Sequence, residues 1–583
     1  MNRLLSVGVR VAAIAIAIAV VGGAPAVVPA AAAERAVGTS YQPITGFGST
    51  WSANAIQQWA RNVFNNYHWT INYNDVGSSA GRQLFKNPGG GADFAVSEIP
   101  YALQNSDSPD PAPPRKFAYM PIVAGGTSFM YNLVIAGKRV TNLRLGGATV
   151  ASIFAGTITK WNDPAIAADN PGLTLPAIPI VPVVRSDGSG TSAQLSTWMR
   201  SQFPSTWQAL CQRAGRANVT GQSSCGITSN YPVLSGFKAQ SGSTGVAGYV
   251  AQPQYVGSIA YVEYSYALNS HFPVVKLLNS AGYYTEPTAA NVAVGLLGAK
   301  INTDQSSPDY LTQQLDGVFT NPDPRTYPLS SYSYIIIPTA LEYGFTENKG
   351  YTLAAFANYF LCEGQQQADV LGYSALPINL VRAGLDQVLK IPGGDPKSVN
   401  ISACNNPTFS ADGSNKLATA APQPQACDKQ GTSQCTTGTG GAAGTSTAVS
   451  GFANSGSTGA SAGSAGSSGA LGSTAALADG TAAVGDVSAD SRPVTVAGAP
   501  LTLPTAATAN VLIPGAIAAA AVALVVLIAI FGPPVMSRIR PRRPPQVRRM
   551  SAPRARAHGA IPKVHLRSVR RERAPGPIPT EGS

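Results

Sequence analysis

Between residues 38 and 404, extended apolar runs alternate with amphipathic helical patterns. The runs WTINYNDV, IPIVPVVR, VGSIAYVEY and YSYIIIP are rich in the β-branched and aromatic residues that favour strands. The segments between them place apolar residues at the i, i+3, i+4, i+7 spacing of helices. Such alternation is typical of α/β proteins, and the segment is longer than one usual domain of about 100–200 residues. We therefore predict an α/β fold with two lobes.

The two ends of the chain indicate export and a membrane anchor. Residues 1–33 combine two arginines, a short apolar run and a small-residue cleavage pattern, which predicts a secretory signal peptide. A membrane anchor is the weaker alternative there, since a span needs about 20 apolar residues. Residues 511–531 form a longer uncharged apolar run that predicts one transmembrane helix. The expected location is the cell membrane, with a single pass and the binding domain outside the cell.

The net charge of +12 belongs to the C-terminal tail, residues 532–583. Thirteen Lys or Arg and two Glu lie in residues 536–583, which accounts for +11. By the positive-inside rule this tail is cytoplasmic. Basic charge next to a predicted span indicates a stop-transfer signal rather than nucleic-acid binding.

Residues 405–510 are dominated by Gly, Ser, Ala and Thr and predict a flexible linker.

All six cysteines precede the predicted span, so we expect disulfides in an oxidising compartment, although six cysteines allow fifteen pairings. Metal binding is disfavoured because no C-x-x-C occurs and histidine is scarce. The loop-like segment between Cys211 and Cys225 favours a bridge between these two cysteines, and the other two bridges follow by exclusion. The predicted pairs are Cys211–Cys225, Cys362–Cys404 and Cys427–Cys435.

Three turns rich in glycine and hydroxyl residues each precede a predicted helix. They are GFGSTW at residues 46–51, GSSAG at residues 77–81 and SDGSGTS at residues 186–192, the last directly after Arg185. A helix N-terminus has unpaired N–H groups and partial positive charge, and it binds anions when small residues let them approach. Each turn alone is more often a simple helix cap. Three of them, one with an arginine whose planar fork matches an oxyanion, predict an oxyanion bound in a cleft.

The segments GFGSTW, YNDVGSSAG, DFAVSEIP, RSDGSGTS and AYVEYSYAL occur in the order found in the phosphate-binding proteins of ABC phosphate transporters. The chain resembles this family over residues 42–385. The resemblance implies a two-lobed, type II periplasmic-binding-protein-like fold that closes on phosphate by a hinge. It implies no enzyme activity, cofactor or metal, and it implies permease subunits as partners. The expected lobes are residues 38–122 with 285–404, and residues 123–284.

The resemblance also implies a set of ligand residues. They are Thr50 through its hydroxyl, Trp51 through its backbone, Ser78, Arg185, Ser189, Gly190 and Thr191. Asp187 corresponds to the acid that braces the arginine.

Glu98 stands where the family has an aspartate. A carboxylate beside a bound anion is repulsive unless the anion offers it a proton, which phosphate does near neutral pH and sulfate does not. The longer side chain leaves the selectivity among oxyanions open. The alternative for Glu98 is a solvated surface acid.

Other functions are compatible with parts of the sequence. GSSAG matches the G-x-S-x-G nucleophile elbow, and Ser79, Asp187 and His271 would give a serine hydrolase in the order Ser, Asp, His. A match of five residues arises easily by chance in a chain with 60 glycines. A tethered surface module or phosphate sensor that no longer serves transport is a further alternative.

Overall fold

The computed structural model describes residues 37–106, 110–219, 221–410 and 412–447. The predicted signal peptide, the predicted span at residues 511–531 and the basic tail lie outside these residues. Within the described ranges, no helix combines the length and apolar character that crossing a membrane requires.

Strands and helices alternate along most of the chain. The strands are β1 Ile44–Gly48, β2 Ile71–Asn74, β3 Phe94–Ser97, β4 Phe117–Tyr131, β5 Val134–Ile135, β6 Lys138–Arg139, β7 Arg144–Leu145, β8 Val181–Arg185, β9 Lys238–Gln240, β10 Ser258–Glu263, β11 Lys276–Leu278, β12 Tyr284–Thr285, β13 Lys300–Ile301, β14 Gln313–Gln314 and β15 Ser330–Pro338. The α-helices are α1 Ala53–Tyr67, α2 Ser78–Lys86, α3 Gly147–Phe154, α4 Pro164–Asp169, α5 Gly190–Gln202, α6 Pro204–Arg213, α7 Gly242–Val250, α8 Tyr264–Asn269, α9 Ala289–Gly295, α10 Asp316–Phe319, α11 Glu347–Leu361, α12 Ile378–Val388 and α13 Lys416–Thr419.

The largest sheet has the strand order β2-β1-β3-β15-β4-β10-β8-β9. β1 is parallel to β2 and β3 at one end, and β8 is parallel to β10 and β9 at the other. The long strand β4 belongs to both halves. Its first part, up to Gly126, pairs antiparallel with β15, and its last part, from Thr127, pairs antiparallel with β10. The chain therefore passes from one half of the sheet to the other within a single strand.

The two largest hydrophobic cores of the described residues lie in different halves of the sheet, which confirms the predicted two-lobed α/β arrangement. The first surrounds β1, β3 and the first part of β4, and it includes Trp59 and Phe360. The second surrounds the last part of β4, β8 and β10, and it includes Trp161 and Tyr261. The apolar stripe predicted for α1 is buried in the first core, at Ile56, Trp59 and Val63.

The structure differs from the predicted lobe boundary at residue 285. Val292 packs in the first core, as predicted, but five apolar residues between it and β15 pack in the second core. These residues are Leu315, Val318, Phe319, Tyr327 and Leu329. Hydrophobic periodicity marks an element as buried but does not show which core buries it, so the sequence placed this segment in the wrong lobe.

The three predicted disulfides are confirmed. Cys211 is bonded to Cys225, Cys362 to Cys404, and Cys427 to Cys435.

The predicted start of the flexible linker at residue 405 is wrong. Residues 405–410 and 412–447, here called the strap, pack against both lobes. At its start, the side chains of Asn406 and Thr408 donate hydrogen bonds to the carbonyl oxygen of Leu376 in the first lobe, at 3.2 and 2.8 Å. Near its end, the N–H of Gly441 donates to the carbonyl oxygen of Phe272 in the second lobe at 2.9 Å. A composition poor in apolar residues indicated a linker, but here backbone hydrogen bonds fix the segment.

A buried arginine fixes the middle of the strap to the second lobe. The guanidinium of Arg144 donates to the carbonyl oxygens of Cys427, Gly431 and Ser433 at 3.1, 2.8 and 2.6 Å. Beside it, Lys276 forms an ion pair with Asp428 of the strap at 2.8 Å. Charge-assisted hydrogen bonds are stronger than neutral ones, so Arg144 and Lys276 both attach this part of the strap, and Arg144 contacts three of its carbonyl groups.

Replacing Arg144 by methionine removes the donor and leaves three strap carbonyl groups without it. Because an unpaired buried polar group retains its desolvation cost, we expect the free energy of unfolding to fall by about 1–3 kcal/mol. Denaturant unfolding followed by circular dichroism measures this change. Arg139→Met is the matched control: Arg139 is exposed and lies over the ring of Phe272, and its replacement should change the free energy by less than about 0.5 kcal/mol. Equal stability of Arg144→Met and the wild type would contradict this attachment.

Candidate functional site

Four helices begin in one region between the two lobes. α1 and α2 belong to the first lobe, and α5 and α7 belong to the second. The contact between the lobes is direct here: the N–H of Ser79 donates to the carbonyl oxygen of Gly188 at 3.1 Å. The starts of α1, α2 and α5 correspond to the three predicted turns. The start of α7 was not identified from the sequence.

The first contact across the site joins Ser78, Gly190 and Glu98. The hydroxyl of Ser78 donates to Glu98 Oε2 at 2.7 Å and accepts from the N–H of Gly190 at 3.1 Å. A Cβ atom on Gly190 would lie 2.0 Å from Glu98 Oε2, so this position has no room for a side chain. The starts of α2 and α5 are thus held together around one carboxylate.

Glu98 is buried, with 1% of its surface exposed, and is not a solvated surface acid. Besides Ser78, it accepts hydrogen bonds on Oε1 from the hydroxyls of Ser49 and Ser333, the latter at 2.8 Å. Three hydroxyl donors therefore offset the cost of burying this carboxylate.

Arg185 lies at the end of β8 with 3% of its surface exposed. Its Nε and Nη2 both donate to the carboxylate of Asp187, Nε at 2.8 Å. The N–H of Gly242, the first residue of α7, donates to the same carboxylate at 2.9 Å. Burial alone would raise the pKa of Asp187, but the hydrogen bonds and charge of Arg185 and the Gly242 N–H outweigh it, so this pKa is lowered.

This pairing changes the expected role of the arginine fork. The side of the guanidinium formed by Nε and Nη2 faces Asp187, so the two-pronged contact is made within the protein. Nη1 instead donates to the hydroxyl of Ser243 at 3.4 Å. An oxyanion would therefore meet the Nη1 side of Arg185 rather than its whole fork.

Thr50 and Ser243 connect the starts of α1 and α7. Their hydroxyl oxygens are 2.8 Å apart, and the N–H of Ser243 donates to Thr50 Oγ1 at 3.1 Å. These contacts link the residues in series, here called the circuit: Glu98 accepts from Ser49, whose chain neighbour Thr50 contacts Ser243. Ser243 in turn contacts Arg185, which pairs with Asp187. The turn before α2 lies close to the other end of this series, because a Cβ on Gly77 would lie 2.6 Å from Asp187.

The remaining predicted ligand residues are buried around this circuit. The hydroxyl of Ser189 caps α5 by accepting from the N–H of Ser192 at 3.3 Å. Thr191 Oγ1 and Trp51 Nε1 are buried and make no hydrogen bond to the protein. The backbone N–H of Trp51, implied as a ligand donor, donates to Ser49 Oγ at 2.9 Å. Buried polar atoms are normally paired, so the unpaired Thr191 hydroxyl at the start of α5 is a candidate donor for a ligand.

Several residues of the circuit were not identified from the sequence. Ser243 and Gly242 lie in SGSTG, which follows β9 and opens α7 in the same way as the predicted turns open theirs, so the same signal was present there. Ser49 lies inside GFGSTW, the segment in which Thr50 was the predicted ligand residue. Ser333 lies on β15, distant in sequence, and no local pattern indicates its contact with Glu98.

The structure gives no support to the serine hydrolase alternative. Asp187 accepts hydrogen bonds from Arg185 and Gly242 rather than from His271. The hydroxyl of Ser79 accepts a long hydrogen bond from Arg82 at 3.5 Å. His271 is exposed and follows α8.

Comparison with known proteins agrees with this geometry. A model described as a PBP superfamily domain matches residues 30–363. The phosphate-binding protein PstS of Xylella fastidiosa is 33% identical over 344 residues, covering 58% of this chain and 83% of that protein. The PstS protein of Pasteurella multocida is 30% identical over 354 residues, covering 60% of this chain and 90% of that protein. A solved periplasmic phosphate-binding protein bound with phosphate matches with a TM-score of 0.44 and 18% identity, over 59% of this chain and 92% of that chain. The superfamily model and the two PstS relatives show that the chain belongs to the PBP superfamily and, within it, to the phosphate-binding proteins of ABC phosphate transporters.

Proposed function

We propose that this chain captures inorganic phosphate between its lobes and delivers it to an ABC importer. The observation that carries the proposal is that four helix N-termini, two from each lobe, lie along the circuit that runs from Glu98 to the buried Arg185. Each N-terminus contributes partial positive charge and N–H donors, which favour an anion. Because both lobes contribute, phosphate would stabilise the closed arrangement of the lobes.

The proposed contacts follow from the donors around the circuit. The hydroxyls of Thr50 and Thr191, the Nη1 side of Arg185 and the first turns of α2 and α5 supply hydrogen bonds to the phosphate oxygens. Ser78 links the first turn of α2 to Gly190 of α5, and Ser189 caps α5. Glu98 is an acceptor and therefore suits a ligand oxygen that carries a proton, as phosphate does near neutral pH.

Replacing Arg185 by lysine should weaken phosphate binding about 10- to 100-fold. The guanidinium of Arg185 donates to Asp187 through Nε and Nη2, and Nη1 remains to donate to the ligand. The single ammonium group of a lysine cannot make both sets of contacts in the same geometry. The loss corresponds to one hydrogen bond to a charged group, about 1.5–3 kcal/mol. Titration calorimetry measures the affinity. Arg82→Lys is the control, because Arg82 is buried but pairs with Asp110. Unchanged affinity in Arg185→Lys would show that the ligand binds elsewhere.

Replacing Glu98 by glutamine should lower the affinity for phosphate and raise the tolerance for sulfate. The carboxylate accepts a hydrogen bond from the O–H of protonated phosphate and repels fully ionised sulfate, whereas the glutamine amide can donate a hydrogen bond to either anion. Competition titrations with both anions at neutral pH measure the selectivity. Glu347→Gln is the control, at the partly exposed start of α11. If the wild type bound sulfate strongly and Glu98→Gln left this unchanged, the ligand would be a different oxyanion.

We further propose that the lobes are exported and remain attached to the membrane by residues 511–531. The signal peptide pattern, the apolar run and the basic tail support this topology. Because the strap packs on the lobes as far as residue 447, protease added to intact cells should release the lobes by cutting between residues 448 and 510. An epitope placed after Arg573 should stay protected, and its cleavage from outside would contradict the topology.

A further inference from the structure

The first turn of α7 reaches two candidate ligand residues at once. The N–H of Gly242 donates to Asp187, and Ser243 contacts both Thr50 and Arg185. Ser243 is fully buried, and its hydroxyl does not cap its own helix but crosses to the other lobe. The SGSTG segment has no role in the site that the sequence implies.

The direction of each hydrogen bond around Ser243 is limited by the chemistry of its neighbours. A guanidinium has donors and no acceptor, so Arg185 Nη1 donates to Ser243 Oγ. A backbone N–H is also a donor, so the N–H of Ser243 occupies one lone pair of Thr50 Oγ1. Each hydroxyl has one hydrogen and two lone pairs, and the two hydroxyl oxygens lie 2.8 Å apart.

We infer that Ser243 is a positioning residue that makes the Thr50 hydroxyl a pure donor toward the bound anion. The Ser243 hydroxyl, with Arg185 as its donor, gives its own hydrogen to Thr50 Oγ1. Both lone pairs of Thr50 Oγ1 are then filled, one by the Ser243 N–H and one by the Ser243 hydroxyl. The Thr50 hydrogen is the part of this group left for the ligand, and no lone pair of Thr50 faces the negative charge.

This inference rests on the proposed phosphate function and adds a residue to it. In this arrangement the charge of Arg185 acts on the ligand by two routes. Nη1 approaches the anion directly, and it also orders the hydroxyls of Ser243 and Thr50. Hydrogen bonds in such a chain polarise one another in the same direction, which strengthens the last donor.

A double-mutant cycle tests the relay, with phosphate affinity measured by titration calorimetry. Ser243→Ala in the wild-type background should weaken binding about tenfold, because the Thr50 hydroxyl loses its fixed direction. In the Thr50→Val background the same change should alter affinity less than twofold, since the group that Ser243 orients is already gone. A general loosening of the closed state would instead weaken binding equally in both backgrounds.

Ser243→Cys is the second variant, because a thiol fills the same space but is a weak donor and acceptor. It should weaken binding to a similar extent in the wild-type background and less than twofold in the Thr50→Val background. Equal losses in both backgrounds, or no loss in Ser243→Ala, would overturn the relay while leaving phosphate binding intact. Absence of phosphate binding in the wild type would overturn the proposed function itself.

Discussion

The ion pair between the buried Arg185 and the partly buried Asp187 is the interaction on which the site depends. An unpaired guanidinium at this depth would carry a large desolvation cost, and the two hydrogen bonds to Asp187 offset it. Asp187 in turn accepts the Gly242 N–H, so the pair also fixes the start of α7. Breaking the pair would therefore leave the Arg185 charge unpaired and release the start of α7. The contact of Ser243 with Thr50 depends on that start and would be disturbed as well.

β4 allows the two lobes to meet at this pair. It changes partner between Gly126 and Thr127, so the segment that links the lobes is a continuous strand rather than a loop. At this position a Cβ on Gly126 would lie 2.4 Å from Pro287, which explains the glycine at the crossing. The strap connects the lobes again, in addition to β4 and to the return of the chain at β15. Its Gly441 binds the chain just after α8, and α8 carries Tyr266, whose hydroxyl donates to the carbonyl oxygen of Thr50.

The parts of the molecule that the sequence predicted are those with local signals. A glycine and hydroxyl turn before an amphipathic helix specifies an N-terminus within a few residues, and this identified the regions of Thr50, Ser78 and Gly190. The three disulfides followed from spacing and exclusion. Contacts made between distant segments had no such signal. The hydrogen bond from Ser333 to Glu98 depends on how β15 enters the sheet, and the strap depends on carbonyl groups that meet Arg144. Amino-acid composition reports on side chains, whereas the strap is held mainly by hydrogen bonds of its backbone. Composition therefore did not show that the strap is packed on the lobes.

The formal charges of the circuit explain why hydrogen bonds matter more here than net charge. Arg185 contributes one positive charge, while Asp187 and Glu98 each contribute a negative charge, so these three groups do not sum to a cationic site. An anion must therefore be stabilised by oriented dipoles: the helix N-termini and the hydroxyls of Thr50 and Thr191. Such dipoles are directional and act at short range, and in a buried site they are screened by salt much less than exposed charges. A carboxylate within this ring of donors then favours an anion that brings its own proton, because the proton turns the one repulsive contact into a hydrogen bond.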